Sequence, residues 1–197
     1  MRMRWTWAAS FLVALLATGG TVRAGTSATP DREGLRLALS AFGSLAGDLP
    51  RRSNNAAGFG FSLRVGWRGV IGAPDGPAMG VFGECSRDRW VAAETQLKVV
   101  SGVFNAGMGA ELLLFGDRVR MALSAGTSTL LFDAAFHSAG STGFYVDIQP
   151  ASLRWPIGRR AVLELLPIGA VVLVPGTGNP LLRRLEYRTA IGFEVPF

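Results

Sequence analysis

Residue types capable of hydrolytic chemistry are sparse in this chain. Its single histidine, His137, lies in AAFHSAGST, directly before Ser138 and four residues before Ser141. A serine nucleophile needs a histidine within hydrogen-bond reach to take its proton, and a carboxylate to orient that histidine. Asp133, Asp147 and Glu164 are candidates for the carboxylate, and their spacing singles out none of them. The segment around His137 is small and polar, so the expectation is a solvated loop histidine in a protein that is not an enzyme, with a lipid hydrolase as the enzymatic alternative. Cys85, the sole cysteine, has no partner for an internal disulfide and no histidine near it in sequence, which suits a structural thiol. One His, one Cys and unclustered carboxylates give no metal-ligand spacing. The glycine runs at Gly176-x-Gly178 and in GAPDGPAMG lack the following Lys-Ser/Thr of a phosphate cradle and read as turns. No metal and no cofactor is expected.

The charged residues are scattered rather than clustered. The chain carries 20 basic and 14 acidic residues in 197, with Lys98 as the only lysine, and no basic stripe of the kind a nucleic acid would require. Its first residues, MRMRWTW, are followed by an apolar run from Ala8 to Thr18 and by Val22-Arg23-Ala24, the order of a cleavable export signal. Cleavage after Ala24 removes Arg2, Arg4 and Arg23, so 17 basic face 14 acidic residues and the net charge falls from +6 to +3. The expected organisation is a signal peptide at 1–24, a short segment at 25–33 and one domain at 34–197. After the signal no apolar stretch is long enough for a membrane helix, since Pro167 and Gly169 interrupt the best candidate.

Period-two alternation supplies the structural elements instead. Tyr187, Thr189, Ile191, Phe193, Val195 and Phe197 are apolar or β-prone, whereas the residues between them are polar or small. A strand sends these two sets to opposite faces. The same alternation recurs in Val119 to Thr127, Val91 to Val99, Ala106 to Leu114 and Phe59 to Trp67. Gly116-Asp117 and Pro156-Ile157-Gly158-Arg159 are tight turn sequences, whereas 46–56, 133–142 and 175–182 are longer polar connections. Expected strands run over 34–45, 57–68, 90–103, 105–115, 118–132, 143–155, 160–174 and 183–197, with 69–89 as a connection. Ala78 to Ser86 (AMGVFGECS) is also strand-like. Counting it makes nine, an odd number that would put the termini on opposite sides, so ten strands are the alternative. Phe115 has the inward phase of its strand, which calls for a bulge, and FYVDIQPASLRW changes phase near Pro150.

Apolar residues at every second position back from a terminal Phe197 resemble the last-strand signature of bacterial outer-membrane β-barrel proteins. The resemblance implies an all-β, closed, antiparallel, up-and-down transmembrane β-barrel in the outer membrane, with Phe193, Val195 and Phe197 as the signal read by the barrel-assembly machinery. It implies outer-membrane lipid as the surroundings and a monomer as the expected state. Alternating short turns and long loops match that architecture, and Trp67, Phe115, Trp155 and Phe197 fall where an interfacial girdle would sit. The lipid A 3-O-deacylase family, another outer-membrane barrel group, has its His and Ser separated by one residue on a strand, whereas His137 and Ser138 are adjacent in a loop.

In such a barrel the polar phase lines the lumen. Arg36, Arg64, Glu94, Lys98, Glu111, Arg118, Arg120, Asp147, Glu164, Glu186, Arg188 and Glu194 would converge there, with signs able to pair. Val162, Leu166, Ile168 and Ala170 would make the wall beside Glu164 apolar on its inner side. The expected function is a structural or interaction scaffold with a charge-plugged lumen and external loops. The alternatives are a narrow channel or lipid-handling barrel, and a soluble periplasmic lipocalin-like barrel whose apolar phase faces inward.

Overall fold

A computed structural model of the chain describes residues 32–48, 56–72, 76–93, 100–132, 142–157, 160–174 and 184–196. Eight strands fill almost all of this: β1 (Gly34–Asp48), β2 (Ala56–Val70), β3 (Ala78–Ala93), β4 (Val100–Leu114), β5 (Val119–Phe132), β6 (Thr142–Ile157), β7 (Ala161–Val174) and β8 (Arg184–Pro196). Each strand pairs antiparallel with its neighbour in sequence, and β8 pairs with β1 from Arg36↔Pro196 to Asp48↔Arg184, so the sheet is a closed barrel. Closure gives every strand two partners and leaves no unpaired edge. The export signal at 1–24 and Phe197 lie outside the described residues.

The strand count is eight, as expected, but the boundaries around β3 and β4 differ. The segment expected to connect strands, 69–89, contains most of β3, which pairs with β2 from Ala56↔Ala93 to Val70↔Ala78. The expected strand at 90–103 does not exist as a unit. Its first residues end β3, its last begin β4, and 94–99 lie outside the described residues. The joint expected at Val103-Phe104-Asn105 is the interior of β4. Alternation carries no mark of where one strand stops when both sides of a turn continue the same period. Only pairing with β2 and β5 places the boundary.

The strand ends joined by 71–77, 115–118 and 158–160 lie at one end of the barrel, and those joined by 49–55, 94–99, 133–141 and 175–183 at the other. The shortest described turn is made by Phe115, Gly116 and Asp117, all with positive φ (55°, 62° and 64°), and Arg118 N donates to Leu114 O across 3.1 Å. Phe115 therefore needs no bulge: the turn itself releases it from its strand's phase and leaves it exposed.

The anticipated phase change in β6 is present. Tyr145 and Asp147 face inward before it, Ser152 and Arg154 after it, and the register with β7 shifts between Ile148 and Leu153. A second irregularity, in β7, was not anticipated. Val162, Glu164 and Leu166 face inward, the register with β8 shifts between Leu166 and Gly169, and Val171 and Leu173 then take the inward phase. Ile168, expected inside, consequently faces out at 54% exposure, and Ala170 leaves the fully buried set. Pro167, which lacks an N–H for the ladder, stands in the middle of this shift.

The wall is inverted relative to a soluble barrel. Leu39, Phe61, Val81, Met108, Leu123, Ile148, Ile191 and Phe193 project outward and are exposed, whereas Arg36, Arg68, Arg120, Arg154, Glu186 and Glu194 are buried inside. A lipocalin-like barrel would turn its apolar set inward; this one does the opposite.

The lumen as candidate functional site

Alternation sends every second side chain into the lumen, many of them charged or polar, and closure decides which of them meet. In the half nearer the tight turns, Arg68 of β2 is central. Its Nε and Nη2 donate to Glu111 Oε1 (3.0 and 2.7 Å), and its Nη1 and Nη2 donate to the two oxygens of Glu194 (2.9 Å each). Glu194 Oε1 also accepts from Arg154 Nη2 at 2.5 Å. Glu164 accepts from Arg64 Nη2 at 3.2 Å and pairs with Arg120 Nη2 at 3.1 Å. Four arginines and three glutamates, drawn from β2, β4, β5, β6, β7 and β8, thus share one desolvated lattice. Charges buried this deeply are tolerated only when they are paired and hydrogen-bonded.

A polar bridge leads to a second group. Arg120 Nη1 and Nη2 donate to Gln149 Oε1 (2.9 and 2.6 Å), and Gln149 Nε2 donates to Asp147 Oδ2 (3.2 Å). Arg188 lies 3.8 Å from Asp147, donates to Glu186 through Nε, and places its guanidinium 4.4 Å from the Phe42 ring centroid. Asp88 Oδ2 accepts from Ser44 Oγ (2.6 Å) and Trp90 Nε1 (3.0 Å). Toward the long-connection end the interior becomes apolar, with Ala46, Ala56, Trp90, Val103, Tyr145, Val171 and Leu173 packed together. Between the two charged groups lies a cavity of about 30 Å³, lined in part by Arg64, Glu84, Asp147, Gln149 and Arg188. That is room for roughly one water molecule.

Of the charges expected in the lumen, Arg36, Arg64, Glu111, Arg120, Asp147, Glu164, Glu186, Arg188 and Glu194 point inward. Arg118 does not. It belongs to the β4–β5 turn and is exposed, because the turn breaks the phase that Arg120 keeps. Glu94 and Lys98 lie outside the described residues. Arg188 and Glu194, opposite in sign and six apart on one face, belong to different groups, and Glu186 is opposite Ala46, at the far end of β1 from Arg36. Phe193 and Val195 face outward.

Sequence reasoning missed Arg68, Glu84, Asp88 and Arg154. The phase of Gly58, Gly60, Ser62, Arg64 and Gly66 extends to Arg68, so that signal was available. Glu84 and Asp88 were hidden by treating their strand as a connection, and Arg154 lies beyond the β6 bulge. His137, Ser138 and Ser141 fall outside the described residues, and Cys85 is half-buried on β3 with the outward phase. Among the described residues no three His, Cys, Asp or Glu side chains gather as a metal-holding group.

No protein-family model and no curated protein matches this sequence. Solved structures do match in shape. Neisserial surface protein A superposes with a TM-score of 0.56 at 15% identity, over 83% of this chain and 97% of that one. The fold is that of the small outer-membrane barrels. A looser likeness joins this barrel to Ail, the attachment invasion locus protein of Yersinia pestis, at 14% identity, over 84% and 99% of the two chains, with a TM-score of 0.47.

Proposed function

We propose that this protein resides in the outer membrane as a monomeric scaffold barrel whose lumen is plugged by paired charges and whose contacts are made by the long connections at one end. One observation carries this reading. The lumen is occupied by side chains of both signs in mutual contact, with Arg68, Arg120, Glu186 and Glu194 each at most 1% exposed. An eight-stranded barrel is barely wide enough for its own side chains, and a lumen filled this way favours a plug over a continuous aqueous path. The apolar outer wall suits a hydrocarbon environment, and the strand ends joined by 49–55, 94–99, 133–141 and 175–183 all lie at the end opposite the Phe115-Gly116-Asp117 turn. The outward row Tyr187, Thr189, Ile191, Phe193 and Val195 presents the pattern that an assembly machinery would read, and deleting Phe197 is expected to lower the yield of folded barrel.

The test is electrical. Wild-type protein in planar bilayers should show no steady conductance, whereas the double substitution E194Q/R154M, which removes one partner pair from the lattice, should open a small leak. A large stable conductance from the unmodified protein would overturn the plugged lumen in favour of a narrow channel.

A further inference from the structure

Among the strand side chains that are described, the outward face carries two charges, and they stand together. Arg87 and Arg89 of β3 are both exposed and have no hydrogen bond or ion pair among the described residues. Their surroundings are apolar. Arg87 is opposite Phe61 on β2 and Phe104 on β4; Arg89 is opposite Phe59 on β2 and Gly102 on β4, which presents no side chain. Phe59, Phe61 and Phe104 are themselves exposed on the outer wall.

A cation on this wall is disfavoured at mid-membrane, and the cost falls toward the interface. Both arginines lie in the half of β3 nearer the long connections. Two residues apart on one face, their Cα atoms are separated by roughly 6.6 Å. Two guanidiniums at that spacing can converge on a single phosphate, which each is shaped to grip with paired N–H donors. The phenylalanines paired with them across the strands offer flat apolar surface beside the charge, the combination presented to a lipid with an anionic head and hydrocarbon tails.

We infer that Arg87 and Arg89 bind the phosphate-bearing headgroup of a membrane lipid in the leaflet at the long-connection end, with Phe59, Phe61 and Phe104 against its acyl chains. The inference rests on the reading above that the outer wall faces lipid. It assigns to that wall one specific anionic site rather than uniform solvation.

The probe is phosphatidylglycerol. Full-length protein folded into nanodiscs of equal phosphatidylglycerol and phosphatidylcholine, then released for native mass spectrometry, should retain the anionic lipid preferentially. R87Q/R89Q should lower the retained ratio about tenfold, the scale set by losing a charge-assisted contact. R87K/R89K, which keeps the charges but not the forked donors, should fall between. R118Q/R160Q, which removes exposed arginines from turns at the opposite end, should leave the ratio unchanged. Equal ratios for wild type and R87Q/R89Q, or an equal fall in R118Q/R160Q, would overturn the site. Displacement of the retained lipid by inorganic phosphate at matched concentration would assign it to a free anion and overturn the lipid assignment. Failure to fold into vesicles of either lipid would remove the membrane reading and this inference together; normal folding with no preference for phosphatidylglycerol would remove this inference alone.

Discussion

Replacing Glu194 with Gln tests the lattice at its most connected carboxylate. Glu194 is 1% exposed, accepts two bonds from Arg68 at 2.9 Å and one from Arg154 at 2.5 Å, and has Arg64 at 3.8 Å. The amide keeps one acceptor oxygen but turns an NH₂ toward guanidiniums and removes a negative charge. Four arginines, Arg64, Arg68, Arg120 and Arg154, are then left with two acids, Glu111 and Glu164. Arg154 suffers most, because its remaining carboxylate, Glu164, is 3.8 Å away. Removing one partner of a buried ion pair costs about 3 to 5 kcal/mol, since the other charge stays desolvated, and E194Q is expected in that range. R154M/E194Q removes the stranded cation as well, so its cost should be less than the sum of the single changes, with a coupling of about 0.5 to 3 kcal/mol. Urea titrations of folding into phosphatidylcholine vesicles, followed by tryptophan fluorescence and by gel mobility of the folded form, read both quantities. A loss below about 1 kcal/mol for E194Q, or strict additivity in the cycle, would mean that Glu194 is not a desolvated partner of Arg68 and Arg154.

The outer wall, the β4–β5 turn and the β3 register make further predictions. Leu123→Arg, at an outward position in mid-β5 that is 55% exposed, should destabilise the barrel by about 2 to 4 kcal/mol in the same bilayer titration; an unchanged midpoint would mean the wall does not face hydrocarbon. Gly116→Val forces a β-branched residue to φ +62° and should cost about 1 to 2 kcal/mol, read as a lower urea midpoint, whereas Gly116→Asn should cost less. Cys85, outward on β3, should resist a charged thiol reagent in folded vesicles and react fully after unfolding in urea; rapid labelling of the folded protein would mean that this part of the outer wall is not covered by hydrocarbon.

Much of the barrel was legible along the chain because a strand has a period of exactly two residues, and two faces with different solvents write that period into the sequence. The inward phase of Arg64, Glu111, Arg120, Glu164, Glu186, Arg188 and Glu194 needed nothing beyond counting, and the phase change near Pro150 was visible as a break in that count. Alternation failed where it had no boundary to mark. It ran from β3 toward β4 without announcing a turn, so Glu84 and Asp88 were lost with their strand. It also predicted Ile168 inside, because the slip in β7 beside Pro167 leaves too short a trace to separate from a change of composition. The partners were beyond its reach altogether. Arg68 and Glu194 are 126 residues apart and meet because β8 closes on β1, while Arg188 and Glu194, six apart on one face, belong to different groups. Local sequence determines which way each side chain points; the register of a closed sheet, a property of all eight strands at once, decides at what height in the lumen it arrives and therefore which charge it meets.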